Sequence, residues 1–161
     1  MIKLIELRNF MSISETYSNL SSVSLLQIED LLSKQDFKTA NELTYIYLLN
    51  LRKPSLGKRS WLYFTDIKIL PSDQLLCLDS LWNKYSDKRF GFSIQRKIWL
   101  KNSKNWNLFF KNIGWKNNNK LCRYPDEFIW NLNAPIGHLP LINQIRGTQI
   151  LKMLFEHEAF S

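Results

Sequence analysis

The sequence predicts an all-α fold, a single domain of about seven helices. Three observations predict it. Apolar and aromatic residues recur at three- and four-residue intervals along most of the chain. Helix-start residues stand in front of these stripes, and Gly or Pro stands behind several of them. The 161 residues, 45% apolar and 22% charged, are enough for one globular core.

Residues 1–22 read as an N-terminal extension, with Ser12, Ser14, Ser18, Ser21 and Ser22 in its polar second half. Residues 23–161 read as the core domain. Ser24 with Gln27 fits a capping box and opens a helix over residues 25–33, with Leu25, Ile28 and Leu32 on one face. Asp36 caps a second helix through Leu51, striped by Phe37, Ala40, Leu43, Thr44 and Tyr47, and the short break makes the pair an αα-hairpin. Pro54, Gly57 and Pro71 bracket a looser segment holding Trp61, Tyr63 and Phe64. Ser72 starts a strongly amphipathic helix with Leu75, Leu78, Trp82 and Tyr85 on one face. A turn follows over residues 87–91. Ser93 is positioned to cap the next helix, which carries Ile94, Ile98 and Trp99. Trp106, Phe109, Phe110 and Ile113 mark another helix, stopped by Gly114. Residues 115–124, with three consecutive Asn, read as a polar turn or small hairpin. Pro125 suits the first turn of a short helix to about Leu132. Pro135, Gly137 and Pro140 keep residues 133–140 non-helical, and a last helix is expected over residues 141–155.

The charge is +8, from 22 Lys and Arg against 14 Asp and Glu. Such a surface attracts anions, although the abundance of Lys, Asn and Ile also fits an AT-rich coding genome. The two cysteines, Cys77 and Cys122, lack a His cluster and make no zinc site. Cys77, between two Leu, reads as a small buried apolar residue. The glycines are scattered, so there is no phosphate loop. His138 and His157 are the only histidines and neither adjoins a nucleophile elbow. Asp66, Asp73, Asp79 and Asp87 read as caps and solvated positions. No apolar run approaches the roughly 18 residues of a membrane span, and residues 1–10 lack a signal-peptide core, which predicts a soluble protein in a reducing compartment.

Three blocks in order carry a resemblance: Leu81-Trp82-Asn83-Lys84-Tyr85-Ser86, Phe90-Gly91-Phe92-Ser93-Ile94-Gln95-Arg96-Lys97-Ile98-Trp99, and Asn133-Ala134-Pro135-Ile136-Gly137-His138-Leu139-Pro140. Together, across about residues 25–146, they resemble the genomes-uncoupled-four family. The resemblance implies a non-catalytic protein that binds protoporphyrin IX or Mg-protoporphyrin IX in a palm-like apolar cavity. It further implies that the protein stimulates magnesium chelatase through the large porphyrin-binding subunit, in chlorophyll biosynthesis. A plastid stroma or a cyanobacterial cytoplasm is the implied location, with a monomeric state and peripheral membrane association. Relatives with an extra N-terminal bundle exist, and residues 1–22 are too short for one. Two alternatives stay open: a bilin-binding variant of the same fold, and a basic helical adaptor for nucleic acid or an acidic protein.

The resemblance places the cavity between two loops, about residues 52–70 and 128–146. Its candidate wall is Phe128, Trp130, Leu132, Asn133, Ala134, Pro135, Ile136, Gly137, His138, Leu139 and Pro140, with Arg146 to meet a propionate. A stiff loop can hold Ile136 and Leu139 open on a surface without an ordering cost on binding. Phe90 and Phe92 read as support for this surface, and His138 as a hydrogen-bonding partner of backbone rather than a metal ligand. Burying roughly 200–300 Å² of a porphyrin face contributes about 5–7 kcal/mol at roughly 25 cal/mol/Å². After association costs this suffices for micromolar affinity without a metal bond.

Overall fold

The computed structural model describes residues 23–52, 61–142 and 148–161. The extension expected over residues 1–22, Pro54 and Gly57 of the looser segment, and Arg146 lie outside the described residues. Within them are seven α-helices and a two-stranded ribbon: α1 (Leu25–Ser33), α2 (Phe37–Asn50), α3 (Phe64–Ile67), α4 (Ser72–Tyr85), α5 (Phe92–Lys101), α6 (Trp106–Asn112), β1 (Lys116–Asn117), β2 (Lys120–Leu121) and α7 (Gln149–Phe155), followed by a 3₁₀ turn, Glu158–Phe160.

The first hairpin forms as its signals require. Ser24 and Gln27 complete a capping box on α1, and the Asp36 carboxylate accepts from the Thr39 N–H at the start of α2. Helix α1 packs on α2 and on α4. The centre of that packing is Trp82 of α4, fully buried, stacked near Phe37 (6.1 Å) and donating its indole N–H to Thr44 Oγ1 at 3.0 Å. Phe90 stands edge-on to Phe37 at 5.4 Å. Phe90 and Phe92 are both fully buried, in the supporting role expected of them.

A second packing centre is aromatic. Helices α5, α6 and α7 meet through Trp99, Trp106, Phe109 and Phe155, whose ring centroids lie 5.2–6.2 Å apart. Helix α3 also packs on α7.

Several expectations are corrected. Residues 125–132 form a turn rather than a helix. A helix would send the Ile129 N–H to the Pro125 carbonyl; instead it goes to His138 Nε2, and Pro125 O accepts from the Trp130 indole. The last helix begins at Gln149, not at Leu141. Leu141 is held outside it because its N–H donates to the Asn41 side chain of α2 at 2.6 Å. Cys77 is exposed, because the buried stripe of α4 runs through Leu75, Leu78 and Trp82 and leaves Cys77 on the other side. Ser93 does not cap α5. Its own N–H is instead capped by Asp79 Oδ1 of α4 at 2.9 Å, so Asp79 is buried rather than solvated, as is Asp66. Trp115 belongs to the core, not to a polar turn. The small hairpin after it is present, with Asn118 and Asn119 both at positive φ, as a two-residue primed turn requires.

Candidate functional site

The segment of residues 133–140 is anchored from three directions. From the α4–α5 turn, the Gly91 N–H donates to Leu139 O, and the Gly137 N–H donates to Arg89 O at 2.8 Å. The Arg89 guanidinium returns to Ala134 O at 2.8 Å. From α5, the buried Gln95 amide donates to both Gly137 O (3.0 Å) and Pro140 O (2.8 Å). From the hairpin base, the Trp115 indole donates to His138 O at 2.7 Å.

His138 itself is buried and bonded at both ring nitrogens. Nδ1 lies 2.7 Å from Ile113 O and Nε2 accepts from the Ile129 N–H at 3.0 Å. A carbonyl only accepts, so Nδ1 carries the proton and the ring is the neutral Nδ1–H tautomer. Burial holds its pKa below the usual histidine value, against the opposing pull of the Ile113 carbonyl. Neither nitrogen has a lone pair to spare for a metal, in line with the expected backbone-bonding role. Among the described residues no group of His, Cys, Asp and Glu is arranged to hold a metal ion.

Gly137 is required by this geometry. Its φ is +82°, and a Cβ there would lie 2.6 Å from Ile98 Cδ1 and 3.0 Å from Ile113 Cγ2. Backbone, not side chain, therefore packs against α5 and α6.

The expected wall is thus divided. Phe128, Ala134, Gly137, His138, Leu139 and Pro140 are buried and hold the segment in place. Leu139, expected to stand open, is fully buried in the core, and its carbonyl is tied to the Gly91 N–H of the α4–α5 turn. Trp130, Leu132 and Pro135 are half-buried, while Asn133 and Ile136 are exposed, Ile136 at 51%. Phe128 links the segment to the hairpin and to the turn before it, 5.5 Å from His138, 6.4 Å from Trp115 and 6.2 Å from Trp130. Trp130 in turn meets Tyr124 edge-on at 5.8 Å. The Tyr124 hydroxyl donates to Glu42 on α2, a carboxyl whose pKa burial raises.

The other expected loop supplies exposed apolar surface as well. Tyr63 and Phe64 at the start of α3, and Ile69 just after it, are each more than two-fifths exposed. Leu62 beneath them is buried and its N–H donates to Tyr45. Helix α3 itself packs on α7. The exposed apolar side chains of the two loops are thus Tyr63, Phe64 and Ile69 in one and Ile136 in the other.

Sequence reasoning missed Gln95, Arg89 and Asn41 as anchors. Gln95 carried a signal: with Phe92 and Trp99 it lies on the buried face of α5, where a polar residue must have a partner.

Comparison with known proteins gives the same architecture. The chain matches the GUN4-like family over residues 18–158. It is 47% identical to the ycf53 protein of Porphyra purpurea, a match covering 83% of this chain and 56% of that protein. It is 40% identical to the Ycf53-like protein of Synechocystis, covering 86% and 60%, and 41% identical to the chloroplastic tetrapyrrole-binding protein of Arabidopsis thaliana, covering 83% and 54%. The chain thus spans a little over half the length of the curated relatives it matches. Among solved structures, GUN4 from Chlamydomonas reinhardtii superposes with a TM-score of 0.80 at 38% identity, covering 88% of this chain and 92% of that one. Ligand-free Arabidopsis thaliana GUN4 superposes at 0.76 and 42%, covering 83% and 92%. On a family match across nearly its whole length and on these relatives, the chain belongs to the GUN4-like family.

Proposed function

We propose that residues 23–161 bind a tetrapyrrole without transforming it, and that the ligand is protoporphyrin IX or Mg-protoporphyrin IX. The observation that carries this reading is the family match, joined to a relative whose name is tetrapyrrole-binding protein. The site's physics supports it: an anchored segment presents Ile136 beside half-buried Trp130 and Leu132, and α3 presents Tyr63 and Phe64. Both ring nitrogens of His138 are committed to backbone, so His138 offers no axial nitrogen and the disc rests on its apolar face there. Arg146 is the proposed propionate partner. The bound porphyrin is the means by which the protein stimulates magnesium chelatase, through contact with the large porphyrin-binding subunit. The protein acts as a monomer that can lie on a membrane surface; no helix among the described residues is long and apolar enough to cross one. Its site of action is the plastid stroma or a cyanobacterial cytoplasm.

The six tryptophans provide the test. Titration with protoporphyrin IX is expected to quench their emission and shift the Soret band with a micromolar or tighter Kd. No quenching and no shift at tens of micromolar ligand would remove the reading. A bilin that binds more tightly under the same conditions reassigns the ligand. In a reconstituted chelatase assay the protein alone is inactive and its addition accelerates magnesium insertion. An unchanged rate leaves a porphyrin carrier only.

A further inference from the structure

The sequence left the positive charge unassigned, and part of it gathers on one face. We propose that the surface formed by α6 and the β1–β2 hairpin is a docking site for an acidic, leucine-bearing segment of a partner protein. Two open grooves flank the hairpin. One, of about 890 Å³, is bounded by Lys120, Leu121 and Arg123. The other, of about 450 Å³, is bounded by Leu108, Lys111 and Lys116. They share Asn117 and Asn118, so the surface runs unbroken from α6 across the hairpin tip.

Its charge is one-sided. Among the described residues the only carboxylate bordering either groove is Glu127, and Arg123 already engages it through Nε (2.9 Å) and Nη2 (2.8 Å). Lys111, Lys116 and Lys120 have no carboxylate within ion-pair distance among the described residues; Lys116 donates only to Asn107 Oδ1. Three uncompensated ammonium groups lining two adjoining grooves raise the local positive potential, and an acidic occupant relieves that.

The leucines decide the class of partner. Leu108 is 49% and Leu121 51% exposed, one at each groove. The register sets Lys116 beside Leu121 and Asn117 beside Lys120, so each side of the hairpin pairs a cation with an apolar or amide group. A peptide segment with carboxylates and apolar side chains in alternation complements that mixture. Nucleic acid would want a continuous cationic stripe and aromatic platforms, and no aromatic residue among the described ones borders either groove. A membrane surface would want aromatic wedges or a broader apolar face. The proposal does not depend on what the anchored segment binds.

The test uses the full chain and four probes at one salt concentration: a labelled peptide rich in Glu with two interspersed Leu, the same peptide with Lys for each Glu, an oligothymidylate, and phosphatidylglycerol vesicles. The Glu peptide is expected to bind and to shift backbone amide resonances of residues 107–123. The Lys111→Glu/Lys116→Glu/Lys120→Glu variant should weaken binding roughly tenfold or more, and Leu108→Ser/Leu121→Ser should weaken it several-fold with charge intact. The charge-neutral Lys→Gln triple variant, with an unchanged melting temperature, serves if charge reversal perturbs the fold. No binding by wild type, equal binding by the variants, or tighter binding of the oligothymidylate or the vesicles would overturn the proposal.

Discussion

At the scale of single residues, His138 is buried and bonded to backbone at both ring nitrogens. Truncation in His138→Ala strands the Ile113 carbonyl and the Ile129 N–H. The expected loss is about 2–4 kcal/mol, two unsatisfied groups' worth, read from urea unfolding. Its pH dependence has a definite sign. Burial lowers the folded-state pKa, while the unfolded ring titrates near about 6.5. Stability is therefore complete above the unfolded value and is lost as pH falls through the folded one, since the unfolded chain takes up a proton that the folded chain refuses. Asp79 and Glu42, whose carboxyls burial raises, act in the opposite sense in the acid range. Comparing wild type with His138→Gln between neutral and mildly acid pH isolates the histidine: the wild type should lose more stability on acidification, and parallel curves would contradict the assignment. Gly91 is equally constrained. With φ at +132° and a Cβ position only 2.5 Å from Asn83 Nδ2, Gly91→Ala should cost about 1–3 kcal/mol in the same assay.

At the scale of elements, the start of α5 is fixed by its neighbour rather than by itself. Asp79 of α4 caps the Ser93 N–H. Asp79→Ala should cost about 1 kcal/mol, as loss of an N-cap does, and Asp79→Asn, which keeps an acceptor oxygen, should recover most of it in thermal unfolding. This arrangement also shows where sequence stops being informative. Helices α1, α2, α4 and α6 were legible because their stripes and caps lie within a few residues of each other. Ser24 with Gln27, and Asp36 with Thr39, are contacts three residues apart. The cap of α5 spans 14 residues and the bond that keeps Leu141 out of α7 spans 100. The Ile129 bond to His138 that replaces a helix over residues 125–132 spans nine. Such partners exist only once the chain has folded. The candidate site was legible as a segment, from Pro135, Gly137 and Pro140. Which of its side chains face outward was not, because Leu139 and Ile136 are alike in composition and differ only in the direction the backbone turns them.

At the scale of the whole molecule, the segment of residues 133–140 joins α5, the α4–α5 turn and the base of the hairpin. Its backbone is held by buried or half-buried side chains of those elements, Gln95, Arg89 and Trp115. Gln95→Leu removes the donors to Gly137 O and Pro140 O. It should destabilise the fold by about 2–3 kcal/mol and also weaken porphyrin affinity through a looser surface, whereas Ile136→Asp should weaken affinity with little change in melting temperature. Equal porphyrin affinity for both variants and wild type would move the binding surface elsewhere.

The aromatic cluster between α5, α6 and α7 has an optical consequence. The indoles of Trp99 and Trp106 lie 5.2 Å apart at 34°, close enough for their transition dipoles to couple, and Trp115 joins them through Phe109. Excitation absorbed by one indole is then shared with its neighbours before it is emitted. An acceptor pigment within energy-transfer range of any one of them drains the group, so emission should fall by more than a single tryptophan's share, and the far-ultraviolet dichroism should carry an exciton couplet that vanishes in Trp106→Leu.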